Sequence, residues 1–208
     1  MTESLPGTER IPLFPLELVL FPGAPLPLHI FEPRYKVMIG LCLERKEEFG
    51  IVLARGEQLA LTGCTAEILQ MVQKYPDGRM DIVTMGRRVF RVQELIDEKA
   101  YYEARVTFVS DDVKEEIPPH RTQSLLKLYD ECHRAIHGRV PEPLNEREPA
   151  AYQIASELPV ELEAKQALLE LRSEGSRQEH LFSYLSHWLP RLRRIQKMKA
   201  KAGGNGHG

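Results

Sequence analysis

The stretch that decides the fold is IPLFPLELVLFPGAPLPLHIFEPRY, residues 11–35, which is rich in proline and yet keeps apolar residues between the prolines. Proline removes a backbone donor and fixes φ, so it is excluded from helix interiors and central strands but allowed at strand edges, bulges and turns. The stretch therefore predicts short, bent, half-buried strands. We expect them at residues 13–14, 17–21 and 26–31, with Pro22-Gly23 as the turn between the last two.

One helix and a series of strands are predicted to follow. A helix is expected over residues 34–47, with Pro33 in its first turn. Pro76-Asp77-Gly78 is a strong hairpin signal, and Gly86 marks a turn or bulge. Because closure removes unpaired edges, this many strands with a single helix favour a closed or nearly closed β-barrel. The strands are expected at residues 49–54, 66–74, 80–85, 89–94 and 101–110.

The composition changes at Asp111, where a charged run and then Pro118-Pro119 follow the last strand pattern. We predict an α+β protein with a β-rich lobe at residues 1–112, a helical bundle lobe at 113–202 and a flexible tail at 203–208. The last helix is expected to begin with a capping box at Ser176-Arg177-Gln178-Glu179 and to kink at Pro190. The helices are expected at residues 121–136, 148–158, 160–171 and 176–199.

Composition also bounds the class of protein. A chain of 208 residues can bury a sizeable core without disulfides, and a net charge of -2 gives no overall bias toward nucleic acid or membrane. Cys42, Cys64 and Cys132 are odd in number and form no Cys-x-x-Cys, which favours a reducing compartment. No apolar run approaches the ~20 residues that span a bilayer. The sequence predicts a soluble, cytoplasmic protein without a membrane partner.

Motifs for catalysis, nucleotides and metals are not found. The phosphate-binding pattern G-x-x-x-x-G-K-[ST] and the nucleophile pattern G-x-S-x-G are both absent. His133 and His137 are four residues apart, but without a second cluster a solvated helix face is favoured over a metal site. Glu32 and Arg34 favour a turn-stabilising ion pair over an acid with an anion binder. We predict no catalytic residue, no metal and no cofactor.

Six segments occur in a specific order and spacing along nearly the whole chain. They are the stretch at residues 11–35, FGIVLARG at 49–56, GCTAEI at 63–68, PDGR at 76–79, GRRVFRV at 86–92 and ASELPVELEAKQALLEL at 155–171. Together they resemble the N-terminal, substrate-binding domain of the Lon protease family. The resemblance implies a PUA-like β-barrel lobe followed by a helical lobe. It does not extend to the ATPase and Ser-Lys protease parts of full-length Lon, so no enzyme activity is expected.

The resemblance implies a non-catalytic module that binds unfolded or extended polypeptide segments or a partner protein, in the service of a protease or chaperone system. Exposed apolar surface in a groove beside the barrel would supply the contacts. Each candidate has an alternative as an ordinary core or turn residue, and for Phe31 and Tyr35 the core is favoured. The candidates are Pro22, Gly23, Phe31, Arg34, Tyr35 and Phe90.

The end of the last helix carries Arg191, Arg193, Arg194, Lys197, Lys199 and Lys201. Cations at this position are favourable beside the helix C-terminus and solubilise the tail, which is the favoured interpretation. The other interpretation is phosphate contact, since PUA-like barrels also occur in RNA-binding proteins. RNA binding is therefore the alternative function.

Overall fold

The computed structural model describes residues 7–112 and 116–204, except for the side chains of 199–204. Residues 205–208 of the predicted tail, and the side chains of Lys199 and Lys201, lie outside this part of the chain. In chain order the elements are β1 (Glu9–Leu16), β2 (Pro25–Ile30), α1 (Pro33–Arg45), β3 (Phe49–Arg55), β4 (Gln58–Lys74), β5 (Met80–Ile96), β6 (Glu103–Phe108), α2 (Pro119–His137), α3 (Ala150–Glu157), α4 (Leu162–Glu170) and α5 (Glu174–Gly204). The predicted α+β class is confirmed.

Two compact units make up the chain. The first contains the residues up to Ser110 together with Glu161–Glu170, and the second contains Asp111–Val160 and the residues from Leu171 onward. Helix α4 therefore belongs with the strands, whereas the sequence analysis placed it in the helical lobe. The side chain of Gln166 explains the difference, because its amide donates to the Thr62 carbonyl of β4 at 3.1 Å.

Pairings in the first unit run in the order β2-β5-β4-β3-β1-β6, with a further pairing of β5 with β6. That last pairing joins β5, β4, β3, β1 and β6 into a closed ring of hydrogen-bonded strands. Strand β5 is long enough to pair with β2 over its first six residues, from Met80 to Met85, and with β6 over Phe90 to Ile96. The first half of β5 thus extends past the ring with β2 at its side.

The strand expected at residues 17–21 is wrong. These residues form an irregular connection that ends in the predicted Pro22-Gly23 turn, where Gly23 has φ 78°. This turn is held against β5, because Gly23 N–H donates to the Gly86 carbonyl at 2.9 Å and Gly86 N–H donates to the Ala24 carbonyl at 3.0 Å. A Cβ on Gly86 would overlap the Phe21 carbonyl oxygen. Strand β5 runs through Gly86 with a register shift against β4, so the predicted bulge is present and the turn is not.

The ring is filled by apolar side chains around the aromatic ring of Phe90. A Cβ on Gly50 would lie 2.7 Å from Cζ of Phe90, and a Cβ on Gly63 would lie 2.6 Å from the same atom. The phenyl ring therefore occupies the space that two side chains would need. The core cluster consists of Ile11, Leu13, Val52, Phe90, Ala104 and Val106.

Gly63→Ala is expected to lower the free energy of unfolding by about 1–3 kcal/mol, because the new methyl would overlap both Phe90 and the rigid Ile51 carbonyl. The control is Gly40→Ala in α1, where a Cβ meets no atom within 4 Å. That change is expected to raise stability by about 0.5–1 kcal/mol, since alanine is the better helix former. Urea unfolding followed by circular dichroism measures both. Equal effects of the two variants would contradict the close approach at Gly63.

The second unit is organised around the buried side chain of Arg177, which is 1% exposed. Its guanidinium donates to both carboxylate oxygens of Asp111, at 2.8 and 2.5 Å, and to a carboxylate oxygen of Glu174 at 3.1 Å. It also donates to the Tyr152 hydroxyl at 3.2 Å and to the Leu171 carbonyl at 3.1 Å. One side chain thus connects the start of this unit with α3 and α5.

Helix α5 begins two residues earlier than predicted, and the capping box at Ser176 is wrong. The Ser173 hydroxyl accepts from Ser176 N–H at 3.1 Å, so Ser173 occupies the capping position. Leu181, Leu185 and Leu189 are buried along α5, whereas Ile195 is 45% exposed. The helix continues through Pro190, and the kink expected there remains a prediction.

Arg177→Met is expected to lower the free energy of unfolding of this unit by about 3 kcal/mol, because partly buried carboxylates and a tyrosine hydroxyl lose their common partner. Arg172→Met is the control, since Arg172 forms an exposed ion pair with Asp112 at 2.5 Å and such pairs contribute about 0–1 kcal/mol. Chemical unfolding monitored at Trp188 measures both. A loss at Arg177 no larger than that at Arg172 would contradict the organising role.

Candidate functional site

Strand β4 is longer than its neighbour β3, which leaves one edge of its second half without a strand. Strand β3 pairs with β4 only as far as Ala66, whereas β5 pairs with β4 as far as Lys74. In the part of the chain that the structure describes, the backbone of residues 69–74 hydrogen-bonds to β5 alone. All six residues are exposed. Residues 69–74 are called the open edge below.

The open edge carries apolar side chains in water. Leu69 is 48% exposed, Met71 is 38% exposed and Val72 is 56% exposed. The pairing of β4 with β5 shifts register between Ile68 and Gln70 and again between Met71 and Gln73. Such bulges bend and twist a strand and limit long, regular pairing at its edge. The open edge is therefore short, apolar and irregular.

A polar network fixes the tip of the hairpin next to the open edge. The Asp81 carboxylate lies 2.5 Å from Nδ1 of His29 and accepts from the Tyr75 hydroxyl at 2.7 Å. Hydrogen bonding to His29, and then to Tyr75, lowers the pKa of Asp81. The ring of Phe31 stacks on His29 with 6.0 Å between centroids. This network joins β2, β5 and the turn that follows β4.

Phe31 is 59% exposed, so the structure places it on the surface and not in the core that the sequence favoured. It follows Ile30 of β2, which pairs with Met80 of β5, and Met80 in turn pairs with Lys74 of β4. Phe31 is therefore about two strand spacings, roughly 10 Å, across the sheet from the end of the open edge. The polar network of His29, Tyr75 and Asp81 lies between Phe31 and the open edge.

The other predicted residues are mostly not available to a ligand. Tyr35 is 4% exposed and stacks on Phe14 at 4.0 Å, so it has the core position that the sequence favoured. Phe90 is fully buried, so a surface role for it is wrong. Pro22 and Gly23 are half-buried in the turn held by Gly86. Arg34 is exposed and donates to Glu32 at 3.0 Å, which is the favoured ion pair. Only Phe31 and Arg34 of the six present an exposed side chain.

Sequence reasoning missed Leu69, Met71 and Val72 because it treated residues 66–74 as an ordinary strand. A signal was present in ILQMV, residues 68–72, where apolar residues stand next to each other and not in alternation. Adjacent residues of a strand point to opposite faces, so this pattern places apolar groups on both faces near the hairpin. Which of them stays exposed depends on the length of β3, which no local pattern encodes.

The predicted basic end is exposed at Arg191, Arg194 and Lys197, while Arg193 pairs with Glu131 at 2.6 Å. Two arginines of the strand region are also paired, Arg87 with Glu67 at 2.5 Å and Arg88 with Glu48 at 3.0 Å. Arg87, Arg88 and Arg193 are therefore already paired with carboxylates and are less available to a phosphate backbone. The basic end thus remains a candidate for RNA binding, and its described side chains do not form a defined phosphate-binding site.

Among the described residues, no cluster of three His, Cys, Asp or Glu side chains is placed to hold a metal. His133 is 6% exposed with Nδ1 2.8 Å from the Arg139 carbonyl, so the solvated face expected there is wrong for His133. No helix among the described residues is long and apolar enough to cross a membrane. Burial raises the pKa of the Cys42 and Cys64 thiols to about 12 and that of Cys132 to about 11.

The three thiols are expected to react slowly with Ellman's reagent in the folded protein and fast after unfolding in urea, both at about pH 8. Each folded pKa lies above the ordinary value of 9.0, so the stability that the neutral thiols contribute is full below pH 9.0 and is lost as the pH rises toward 11 or 12. Alkaline unfolding above pH 9 should accordingly become easier. A thiol that reacts fast in the native state would contradict this.

Comparison with known proteins agrees with this architecture. The model of the ATP-dependent protease La (LON) substrate-binding domain matches residues 10–187. The chain belongs to this Lon substrate-binding domain family. The resemblance stated from the sequence is confirmed, and the matched range contains both the open edge and Phe31.

Curated relatives of this Lon-family chain are named Lon protease. The protein of Parabacteroides distasonis is 28% identical over 65% of this chain and 17% of its own length. That of Escherichia coli K12 is 25% identical over 85% of this chain and 24% of its own length. The chain thus spans about a quarter or less of these relatives.

Two solved structures of Lon N-terminal domains share this fold. A Lon N-terminal domain protein from Xanthomonas campestris superposes with a TM-score of 0.68 at 25% identity, covering 85% of this chain and 98% of that one. The N-terminal domain of a Mycobacterium avium complex Lon protease has a TM-score of 0.61 at 16% identity, with 86% and 98% covered, and shows the fold alone. Both match almost over their full length.

Proposed function

We propose that this protein is a non-catalytic recognition module that binds unfolded or extended polypeptide segments along the open edge. The observation that carries the proposal is that residues 69–74 are exposed, apolar in part and, within the described residues 7–112 and 116–204, hydrogen-bonded to β5 alone. Membership of a family described by substrate binding supports the same class of function.

Backbone chemistry favours a polypeptide over other ligands. The outer side of an edge strand presents N–H and C=O groups in an alternation that another extended chain matches group for group. Six residues give about 20 Å of edge. Backbone bonds of this kind supply affinity without requiring a particular sequence, and the side chains around them supply preference. Leu69, Met71 and Val72 would favour apolar segments, which folded proteins bury and unfolded ones expose.

The two bulges have a consequence for the strength of binding. They interrupt regular pairing, so an added strand would form only a few consecutive hydrogen bonds. A long, flat edge would instead recruit further copies and aggregate. We therefore expect weak, reversible capture, which suits a module that passes a polypeptide on to a protease or chaperone partner. A cytoplasmic location remains a prediction, with which the three free, buried cysteines are compatible.

Val72→Lys is expected to weaken binding of an unfolded, apolar polypeptide segment about tenfold, because a charge replaces an apolar contact beside the edge. Leu61→Lys is the matched control, since Leu61 is also 56% exposed on β4 but lies before the open edge begins. Fluorescence anisotropy with a labelled segment measures both. The same segment carrying N-methyl groups at alternate residues lacks the donors and should bind poorly.

Equal losses for the two lysine variants would overturn the open edge as the site. Dependence on salt distinguishes the alternative function, RNA binding, from polypeptide binding. The affinity for single-stranded RNA at the basic end would fall steeply with ionic strength and would be lost in the Arg191→Glu/Arg194→Glu variant. Binding of RNA alone would replace polypeptide recognition by the RNA hypothesis.

A further inference from the structure

The second unit contains a groove of about 610 Å³ between α2 and the segment that connects α2 with α3. Its volume lies within the range of about 300–1,000 Å³ that is typical of ligand sites. Neither the family match nor the open edge gives this groove a role. Apolar groups form much of its wall, namely Leu126, Tyr129, Pro141, Pro143, Leu144 and Pro149.

Charge in the groove has one sign. Of the residues whose side chains the structure describes, no lysine or arginine lines the groove. Five carboxylates line it, those of Asp130, Glu142, Glu146, Glu148 and Glu174. Glu174 is compensated by its ion pair with Arg177 at 3.1 Å. Among the residues that the structure describes, the other four form no ion pair. Arg139 and Arg147 of the same segment are exposed and are not among the lining residues, so the concentration of negative charge is confined to the groove wall.

Hydrogen bonds fix the rim of the groove before any ligand arrives. The Gln153 side chain donates to the Asn145 carbonyl at 2.9 Å and to the Glu148 carbonyl at 3.1 Å, and it accepts from Asn145 N–H at 2.8 Å. The Asn145 side chain accepts from Arg147 N–H at 3.1 Å. With prolines at both ends of the segment, little conformational entropy remains to be lost on binding.

We propose that this groove binds a cationic, apolar polypeptide segment, in which lysine or arginine alternates with apolar residues. Carboxylates on an apolar wall focus a negative potential that attracts cations and repels anions. A neutral apolar ligand would remove water from these carboxylates without pairing them, which is costly. A segment with both kinds of side chain satisfies the rim and the wall together. The proposal does not depend on the open edge.

The test uses a labelled peptide of alternating lysine and leucine, with the full-length chain and fluorescence anisotropy as the readout. Glu142→Gln/Glu146→Gln is expected to weaken binding about tenfold. Glu44→Gln/Glu57→Gln removes the same charge from two exposed carboxylates of the first unit and is expected to change binding less than about twofold. Gln153→Ala keeps every charge but releases the rim, and it should also weaken binding.

Two further peptides test the two halves of the recognition. Lysine alternating with serine should bind at least about tenfold more weakly than lysine with leucine, because the apolar wall then has no partner. Glutamate alternating with leucine should not bind. The proposal would be overturned if the leucine and serine peptides bound equally, or if the two double-glutamine variants lost equal affinity. Either result would show that binding is non-specific electrostatic attraction.

Two controls separate this site from other occupants. Leu61→Lys, outside both sites, should leave binding of the lysine-leucine peptide unchanged. Binding that is lost in Val72→Lys and kept in Glu142→Gln/Glu146→Gln would assign this peptide to the open edge and overturn the groove, so failure at the open edge and failure at the groove are distinguishable. Sedimentation velocity reports whether the basic end of a second copy occupies the groove, since self-association would then occur in the wild type and vanish in Glu142→Gln/Glu146→Gln. That result would overturn the peptide in favour of a second copy.

Discussion

The first unit depends on the close approach of Phe90 to the bare backbones of Gly50 and Gly63. Because neither glycine has a side chain, β3, β4 and β5 can surround one aromatic ring, which fills the space that two side chains would need. Pairing of β3 with β4 ends at Phe49, where β3 begins soon after the left-handed residue Lys46 at the C-cap of α1. Strand β4 continues past Ala66 without it, and the open edge is the result.

Arg177 holds the elements of the second unit together, as Phe90 does in the first. It also forms ion pairs with two of the carboxylates of this unit. Its guanidinium binds Asp111 and Glu174, so these two acids are compensated inside the unit. The acids of the segment between α2 and α3 form no ion pair with Arg177, and among the described residues no lysine or arginine lines the groove beside them. The ion-paired carboxylates thus stabilise the unit, and the carboxylates of the groove that form no ion pair are the ones that could bind a cationic ligand.

Local chemistry made part of this structure predictable. The turn at Pro76-Asp77-Gly78, the helix that begins at Pro33 and the strand that begins at Phe49 follow from residues adjacent in sequence. Long-range contacts decided the rest. Ser176 and Ser173 are both good caps, and the structure uses Ser173, whose hydroxyl accepts from Ser176 N–H. Phe31 is exposed because Ile30, its neighbour on β2, points into the core. The open edge depends on the relative lengths of two strands, and no local pattern contains that difference.

The two proposed surfaces differ in the chemistry that they would recognise, which gives them complementary uses. Backbone pairing at the open edge reports that a segment is extended and accessible, whatever its sequence. The acidic groove would select a segment by its amino-acid composition, because it needs cationic side chains beside apolar ones. A single unfolded chain carrying both features would gain from binding twice, since the second contact is made at the effective concentration set by the flexible chain between them. Two weak contacts would then select unfolded, cationic polypeptides without a tight site for any one sequence.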